Sequence, residues 1–171
     1  FRPRRVVSLI MALMRRVLTE DVDELHREGV RVQIIGDRSR FSADLQKLMA
    51  DAEALTAQNT RMTLMIAANY GGRWDIVNAA RALASEVEAG RLRAQDIDES
   101  ALDGALSLAG VPPPDLCIRT GGDHRISNFL LWQFAYTELF FTDRFWPDFN
   151  GAALEEALGE FYCRQRRFGR R

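Results

Sequence analysis

The sequence predicts an α/β protein in which helices cover a parallel sheet. Three observations carry this. Apolar residues recur at helical spacing over long stretches, short apolar runs bounded by Gly and Asn lie between them, and the two patterns alternate along the chain. That alternation marks strands joined by crossover helices. The 171 residues, 47% hydrophobic and 27% charged, suffice for a single domain, 1–171, with a real core. They exclude disorder as the default.

Val6, Ile10, Leu13, Val17, Val22 and Leu25 recur at helical spacing, which predicts one long first helix that Gly29 ends. Val30 to Ile35 alternates like a strand and closes at Gly36-Asp37. Leu45, Leu48, Met49, Ala52 and Leu55 share a face of a second helix, with Ser42 in the N-cap role. Met62 to Ala67 is a mostly apolar strand, broken by Asn69-Tyr70-Gly71-Gly72. A third helix carries Ile76, Ala79, Ala80, Leu83 and Val87 and stops at Gly90. A short helix around Ala101 to Leu108 precedes the stiff connector Pro112-Pro113-Pro114. Asp115 to Ile118 is a short strand, and Gly121-Gly122 opens a polar loop. An aromatic-rich stretch from Phe129 to Phe149 leads to a final helix from about Ala152, which ends in arginines. Three strands are few, because a typical sheet has about five or six. The opening Phe1-Arg2-Pro3 has no Met and runs straight into a helix. Both features suggest a domain that is incomplete at its N-terminal side.

Composition narrows the function classes. A net charge of −1 gives no global basic field, so nucleic acid is not an expected partner. Cys117 and Cys163 are too few for a disulfide framework and lack metal spacing. They read as reduced thiols of a cytoplasmic protein. No apolar run reaches the roughly 18 residues of a membrane span, and no signal peptide is visible. Lys47 is the only lysine. Arg offers a rigid fork suited to phosphate and carboxylate, and the codon choice of a GC-rich genome would give the same excess, so placement must decide.

In an open α/β sheet, ligands bind beyond the carboxyl ends of the strands. Three loops qualify: Gly36-Asp37-Arg38, Asn69 to Arg73, and Arg119 to Ser127. In the third, Arg119 and Arg125 offer bidentate donors, Ser127 adds a hydroxyl, and the Gly pair would let backbone amides approach an anion. It has no Walker Gly-Lys-Ser or Gly-Lys-Thr. The plainer alternative is a solvated turn whose arginines pair with Asp123 or Asp37. Asp123, His124 and Glu138 could help hold a divalent ion. Equally, His124 could be an ordinary loop histidine and Glu138 a strand-end surface group. His26 reads as structural. Met11, Met14, Met49, Met62 and Met65 either fill core gaps or line a pocket for a long hydrocarbon. The aromatic density from Phe129 to Phe149 exceeds internal need and suggests a dimer surface.

Residues Ile118 to Gln133 (IRTGGDHRISNFLLWQ), followed by Tyr136-Thr-Glu-Leu and Trp146-Pro-Asp-Phe, closely resemble the C-terminal signature of bacterial undecaprenyl diphosphate synthases, of the cis-prenyltransferase family. Ile66 to Asp75 (IAANYGGRWD), Ile34-Ile-Gly-Asp and Arg166-Arg-Phe-Gly fit the same family. The resemblance runs from Phe1 to Arg171.

That resemblance implies a cis-prenyltransferase fold and a condensation of isopentenyl diphosphate with farnesyl diphosphate to undecaprenyl diphosphate, the cell-wall carrier lipid. It further implies magnesium as cofactor, a homodimer, and peripheral membrane association through the lipid product. Residue by residue, Arg119, Arg125, Ile126 and Ser127 match the binding element for isopentenyl diphosphate, with Asp123 where the family often has Glu. His124 and Glu138 match magnesium-site residues, Glu138 reaching toward the partner subunit's site. Arg2 matches the Arg of a substrate-contacting Trp-x-Arg-Pro element. Met62 matches the deep end of the product tunnel. The family's Asp-Gly-Asn-Gly-Arg-Trp motif, with its catalytic Asp, and its Ser-x-Glu-Asn-Trp segment are not in the sequence. The expected catalytic Asp would lie upstream of Phe1, and turnover by this chain alone is not expected. A non-catalytic accessory subunit and a phosphate-binding α/β module are the alternatives.

Overall fold

The computed structural model describes residues 3–164. The chain divides into two compact units, Phe1–Tyr70 and Gly71–Arg171.

The first unit opens with α1 (Arg4–Arg16), a π-helical turn (Val17–Asp21) and α2 (Val22–Arg27). The expected single long helix is therefore interrupted by a π segment. Helical spacing in sequence cannot distinguish the two, because the π turn keeps Leu18 and Val22 in the core. Gly29, with φ of +73°, turns the chain into β1 (Val30–Ile35). After α3 (Ala43–Thr56) comes β2 (Met62–Ala67), parallel to β1 in a register from Val30↔Met62 to Ile35↔Ala67.

Alternation along β1 buries Val30, Val32 and Ile34. Ile34 packs with Leu18, Val22, Leu45, Met49 and Ala52 in one cluster, and Met49 is fully buried. The free edge of β1 is closed by side chains of α3. The Val32 amide donates to Thr56 Oγ1 at 2.9 Å, and that buried hydroxyl donates in turn to Ala52 O at 2.8 Å. The Ile34 amide donates to Glu53 Oε1 at 2.7 Å. Arg38 grips the same carboxylate with both terminal nitrogens, at 2.8 and 2.6 Å, and donates to Ile34 O. An edge that would otherwise invite another strand is thus satisfied. Ser42 stands at the N-cap of α3 as expected, yet makes no cap bond to the helix. Its hydroxyl accepts from Arg15 instead, at 3.1 Å.

The second unit contains α4 (Gly72–Glu88), α5 (Glu99–Ala105), β3 (Leu116–Arg119), β4 (Glu138–Phe141) and α6 (Gly151–Cys163). β3 and β4 are parallel, in a register from Leu116↔Glu138 to Arg119↔Phe141. Four strands are thus described where three were expected. In sequence β4 is indistinguishable from the aromatic stretch around it, because Glu138 followed by three apolar residues carries no alternation. Asp98 and Asn150 cap α5 and α6, accepting from Ala101 N at 2.8 Å and Ala153 N at 3.1 Å. Asp75 on α4 is buried, and its Oδ1 accepts from both the amide and the hydroxyl of Ser107, at 3.0 and 2.6 Å. That pins the segment after α5 to α4. Among the described residues no helix is long and apolar enough to cross a membrane.

Candidate diphosphate site and apolar cavity

Arg119 ends β3, and the loop after it folds back over its guanidinium. Nη1 donates to Ser127 Oγ at 2.8 Å and to the Arg125 carbonyl. Nη2 donates to Asp123 Oδ2 at 2.7 Å, and Arg125 Nη2 reaches the same oxygen at 2.7 Å. Arg119, Asp123, Arg125 and Ser127 therefore converge. The alternative of arginines pairing with Asp123 is realised as well. Ile126 is half-buried and turns the loop, its carbonyl accepting from Phe129 N at 3.1 Å. The arrangement offers two guanidiniums and a hydroxyl on one loop, with a carboxylate fixing them, and suits an anion with several oxygens.

One expectation changes in detail. The Gly121-Gly122 amides are not aimed at an anion. They donate to Arg144 O at 2.8 Å and Thr142 O at 3.1 Å, holding the turn after β3 against the segment after β4. The glycines are needed for conformation, with φ of +89° and +75°. The loop also depends on a residue that the sequence reading passed over. Asn128 accepts the Gly72 amide on its backbone oxygen at 2.7 Å and the Arg73 amide on Oδ1 at 2.9 Å. The available signal was an Asn, tolerant of left-handed backbone, directly after the Arg-x-Ser element.

His124 lies in the same loop, its ring stacked on Phe141 with centroids 5.1 Å apart. Glu138 is not brought to the loop. It begins β4, paired with Leu116, whereas Arg119 pairs with Phe141 at the opposite end of the register. Its carboxylate is held by Arg164 at 3.0 Å, which also donates to Leu139 O. Among the described residues no three His, Cys, Asp or Glu side chains form a group able to hold a metal. These residues do not make a magnesium site by themselves. Arg2 lies outside the described residues, as does Arg166-Arg-Phe-Gly.

In the first unit, a cavity of about 650 Å³ is lined by Val7, Ile10, Met11 and Met14 of α1, by Phe41 and Leu45, and by Ile66 of β2, with Arg15, Arg40, Ser42 and Asn69 as its polar groups. Met62 is not part of that lining and is 52% exposed. The strand period nevertheless puts Met62, Leu64 and Ile66 on one face of β2. The methionines divide between the two readings, Met49 filling the core and Met11 and Met14 lining the cavity. Burial raises the pKa of the half-buried Cys117 thiol, with the Arg119 charge opposing.

A prenyltransferase family model described as "Putative undecaprenyl diphosphate synthase" matches residues 1–169. The chain belongs to this family. It is 57% identical over 169 residues to the ditrans,polycis-undecaprenyl-diphosphate synthase, (2E,6E)-farnesyl-diphosphate specific, of Pseudomonas aeruginosa, covering 99% of this chain and 67% of that protein. It is also 57% identical to the enzyme of the same description from Xanthomonas campestris, covering 98% of this chain and 65% of that one. This family member thus spans about two-thirds of the length of those relatives. Among solved structures it is similar to lavandulyl diphosphate synthase from Lavandula x intermedia in complex with dimethylallyl diphosphate. That match has a TM-score of 0.94 and 42% identity, over 98% of this chain and 73% of that one. It is similar as well to a probable undecaprenyl diphosphate synthase from Campylobacter jejuni, with a TM-score of 0.85 and 30% identity over 99% and 77%. The α/β architecture with parallel strands is the cis-prenyltransferase fold of these neighbours.

Proposed function

We propose that the chain carries the isopentenyl-diphosphate half of a farnesyl-diphosphate-specific cis-prenyltransferase that makes undecaprenyl diphosphate. The observation that carries this is the convergence of Arg119, Arg125 and Ser127 at the end of β3, in a chain 57% identical to enzymes of that description. In the reaction, the double bond of isopentenyl diphosphate attacks the first carbon of the allylic diphosphate. The carbon–oxygen bond to that diphosphate breaks, and a proton leaves the new chain. The residues here contribute charge neutralisation and orientation of the isopentenyl unit. The apolar cavity under α1 suits a growing hydrocarbon, and the family resemblance puts Met62, on the same face of β2 as Ile66, beyond it toward the deep end of the product path.

Magnesium belongs to this reading through the family resemblance. His124 would supply one donor at this loop, while Glu138, at the other end of the β3–β4 register, would serve the partner subunit's site as the resemblance implies, and no step is assigned through the ion. Exposed Tyr136, Phe145 and Trp146 favour a homodimer built on the aromatic stretch. A cytoplasmic location with peripheral membrane contact through the lipid product follows from the same reading.

Calorimetric titration with isopentenyl diphosphate tests it. Arg119→Ala is expected to weaken binding by about 10- to 150-fold, the equivalent of one charged hydrogen bond of roughly 1.5–3 kcal/mol. Unchanged affinity would overturn the site. The chain alone is expected to bind without robust turnover of labelled isopentenyl diphosphate onto farnesyl diphosphate, and robust turnover would contradict the half-site reading.

A further inference from the structure

We propose that Asn128 is the positioning residue of the diphosphate cradle, the side chain that fixes Ser127 and Arg125 by clamping their loop to the first turn of α4. The first amides of a helix have no partners within it. Here Gly72 N and Arg73 N are both satisfied by Asn128, one through its backbone oxygen at 2.7 Å and the other through Oδ1 at 2.9 Å. Capping normally comes from the residue just before a helix, whereas this cap arrives from a loop 55 residues further along the chain. Because these amides are occupied, the start of α4 is an anchor and not an open anion site.

The approach is close enough that only glycine permits it. A Cβ on Gly71 would lie 2.7 Å from Asn128 Nδ2, and one on Gly72 would lie 2.7 Å from Leu131 Cγ and 2.9 Å from the Leu131 amide nitrogen. The loop itself is strained. Ser127, Asn128 and Leu130 have φ of +47°, +64° and +42°, a costly region for residues that carry a Cβ and above all for buried Leu130. Such backbone persists only where its surroundings over-determine it. Among side chains, Asn tolerates the left-handed region well and also supplies the amide oxygen that Arg73 N requires. Its oxygen is spent on α4 and its Nδ2 faces Gly71, so it acts through its neighbours. The clamp sets Ser127, whose hydroxyl accepts from Arg119 at 2.8 Å, and the Arg125 carbonyl, which accepts from the same guanidinium.

This inference rests on the diphosphate reading of the cradle, so the test has an arm that needs no ligand. Asn128→Gly keeps the backbone freedom and removes the amide oxygen. Asn128→Asp keeps the oxygen, tolerates the same φ and places its charge favourably at a helix N-terminus. In the full chain, isopentenyl diphosphate affinity is expected to fall by at least about fivefold in Asn128→Gly, the equivalent of losing a cap, and to be recovered in Asn128→Asp. Hydrogen exchange at the Arg73 amide should speed up in the Gly variant alone. Affinity in Asn128→Gly equal to wild type, or an Arg73 amide equally protected in both variants, would overturn the proposal. Should the wild-type chain bind no isopentenyl diphosphate, the diphosphate reading fails instead. The exchange arm then decides the clamp on the same criterion.

Discussion

Arg119 and Arg125 donate to the same oxygen of Asp123, each across 2.7 Å. Two cations are thereby held side by side, which is the preorganised charge that the proposed diphosphate cradle calls for. Asp123→Ala would let the guanidiniums separate and would raise the local positive charge. Affinity for isopentenyl diphosphate is expected to fall by about tenfold, because positioning is lost, while its salt dependence steepens. Asp123→Glu, which keeps a carboxylate facing both arginines, should stay close to wild type. Titrations at low and high salt check both.

Gly36 closes β1 at φ +115°, where an added Cβ would collide with the Ala68 carbonyl and lie 3.1 Å from Tyr70 N. Gly36→Ala is expected to cost on the order of 2 kcal/mol or more of stability, since it combines a forbidden backbone region with a backbone clash. Urea denaturation measures this directly.

The carboxylates of Asp37, Asp44 and Glu86 are held below the usual carboxylate range, chiefly by hydrogen bonds from Ser39, Arg15 and Arg91 respectively. A depressed folded pKa contributes stability above the unfolded value, and that contribution is lost as pH falls through the folded one. Stability should therefore decline below about pH 4. In Asp44→Asn that decline should be shallower. The gap between wild type and variant should be full at pH 7 and close as the pH falls through the lowered pKa. Asp44 is exposed and Asp37 and Glu86 are partly so, so the effect is small and weakens with salt. Urea midpoints across pH in the two proteins test the sign.

The cysteines should separate by reactivity. Cys163 is exposed, whereas Cys117 on β3 is half-buried with its thiol pushed up by burial. Because the thiolate is the reacting form, a thiol reagent at pH 8 should modify Cys163 quickly and Cys117 much more slowly in the folded chain. Equal rates would contradict the placement of β3.

Much of this was readable in advance, for identifiable reasons. α3 and α4 announced themselves through Leu45, Met49 and Ala52 and through Ala79 and Leu83, which the structure buries. β1 alternated because one of its faces is core. β4 was hidden because Glu138 to Phe141 has no period of its own and is recognised only by its pairing with β3. The residue types in Arg119 to Ser127 marked this loop as a candidate anion site and equally allowed the pairing of both arginines with Asp123 that the structure contains. The fate of the Gly121-Gly122 amides and the grip of Asn128 on α4 depend on segments far away in sequence. No local pattern encodes them. Glu138 stood near the cradle in the chain yet lies at the other end of the β3–β4 register, a separation that only the strand pairing reveals.

Asp37 and Asn69, at the ends of β1 and β2, are bound to each other twice: the Asp37 amide donates to Asn69 O at 3.3 Å, and Asn69 Nδ2 donates to Asp37 O at 3.0 Å. Asn69 adopts φ +51° to do so. The two loops are consequently laced at matched lengths. An insertion or deletion in one would leave the other reaching for a partner out of step, so across variants of this chain their lengths should change together or not at all.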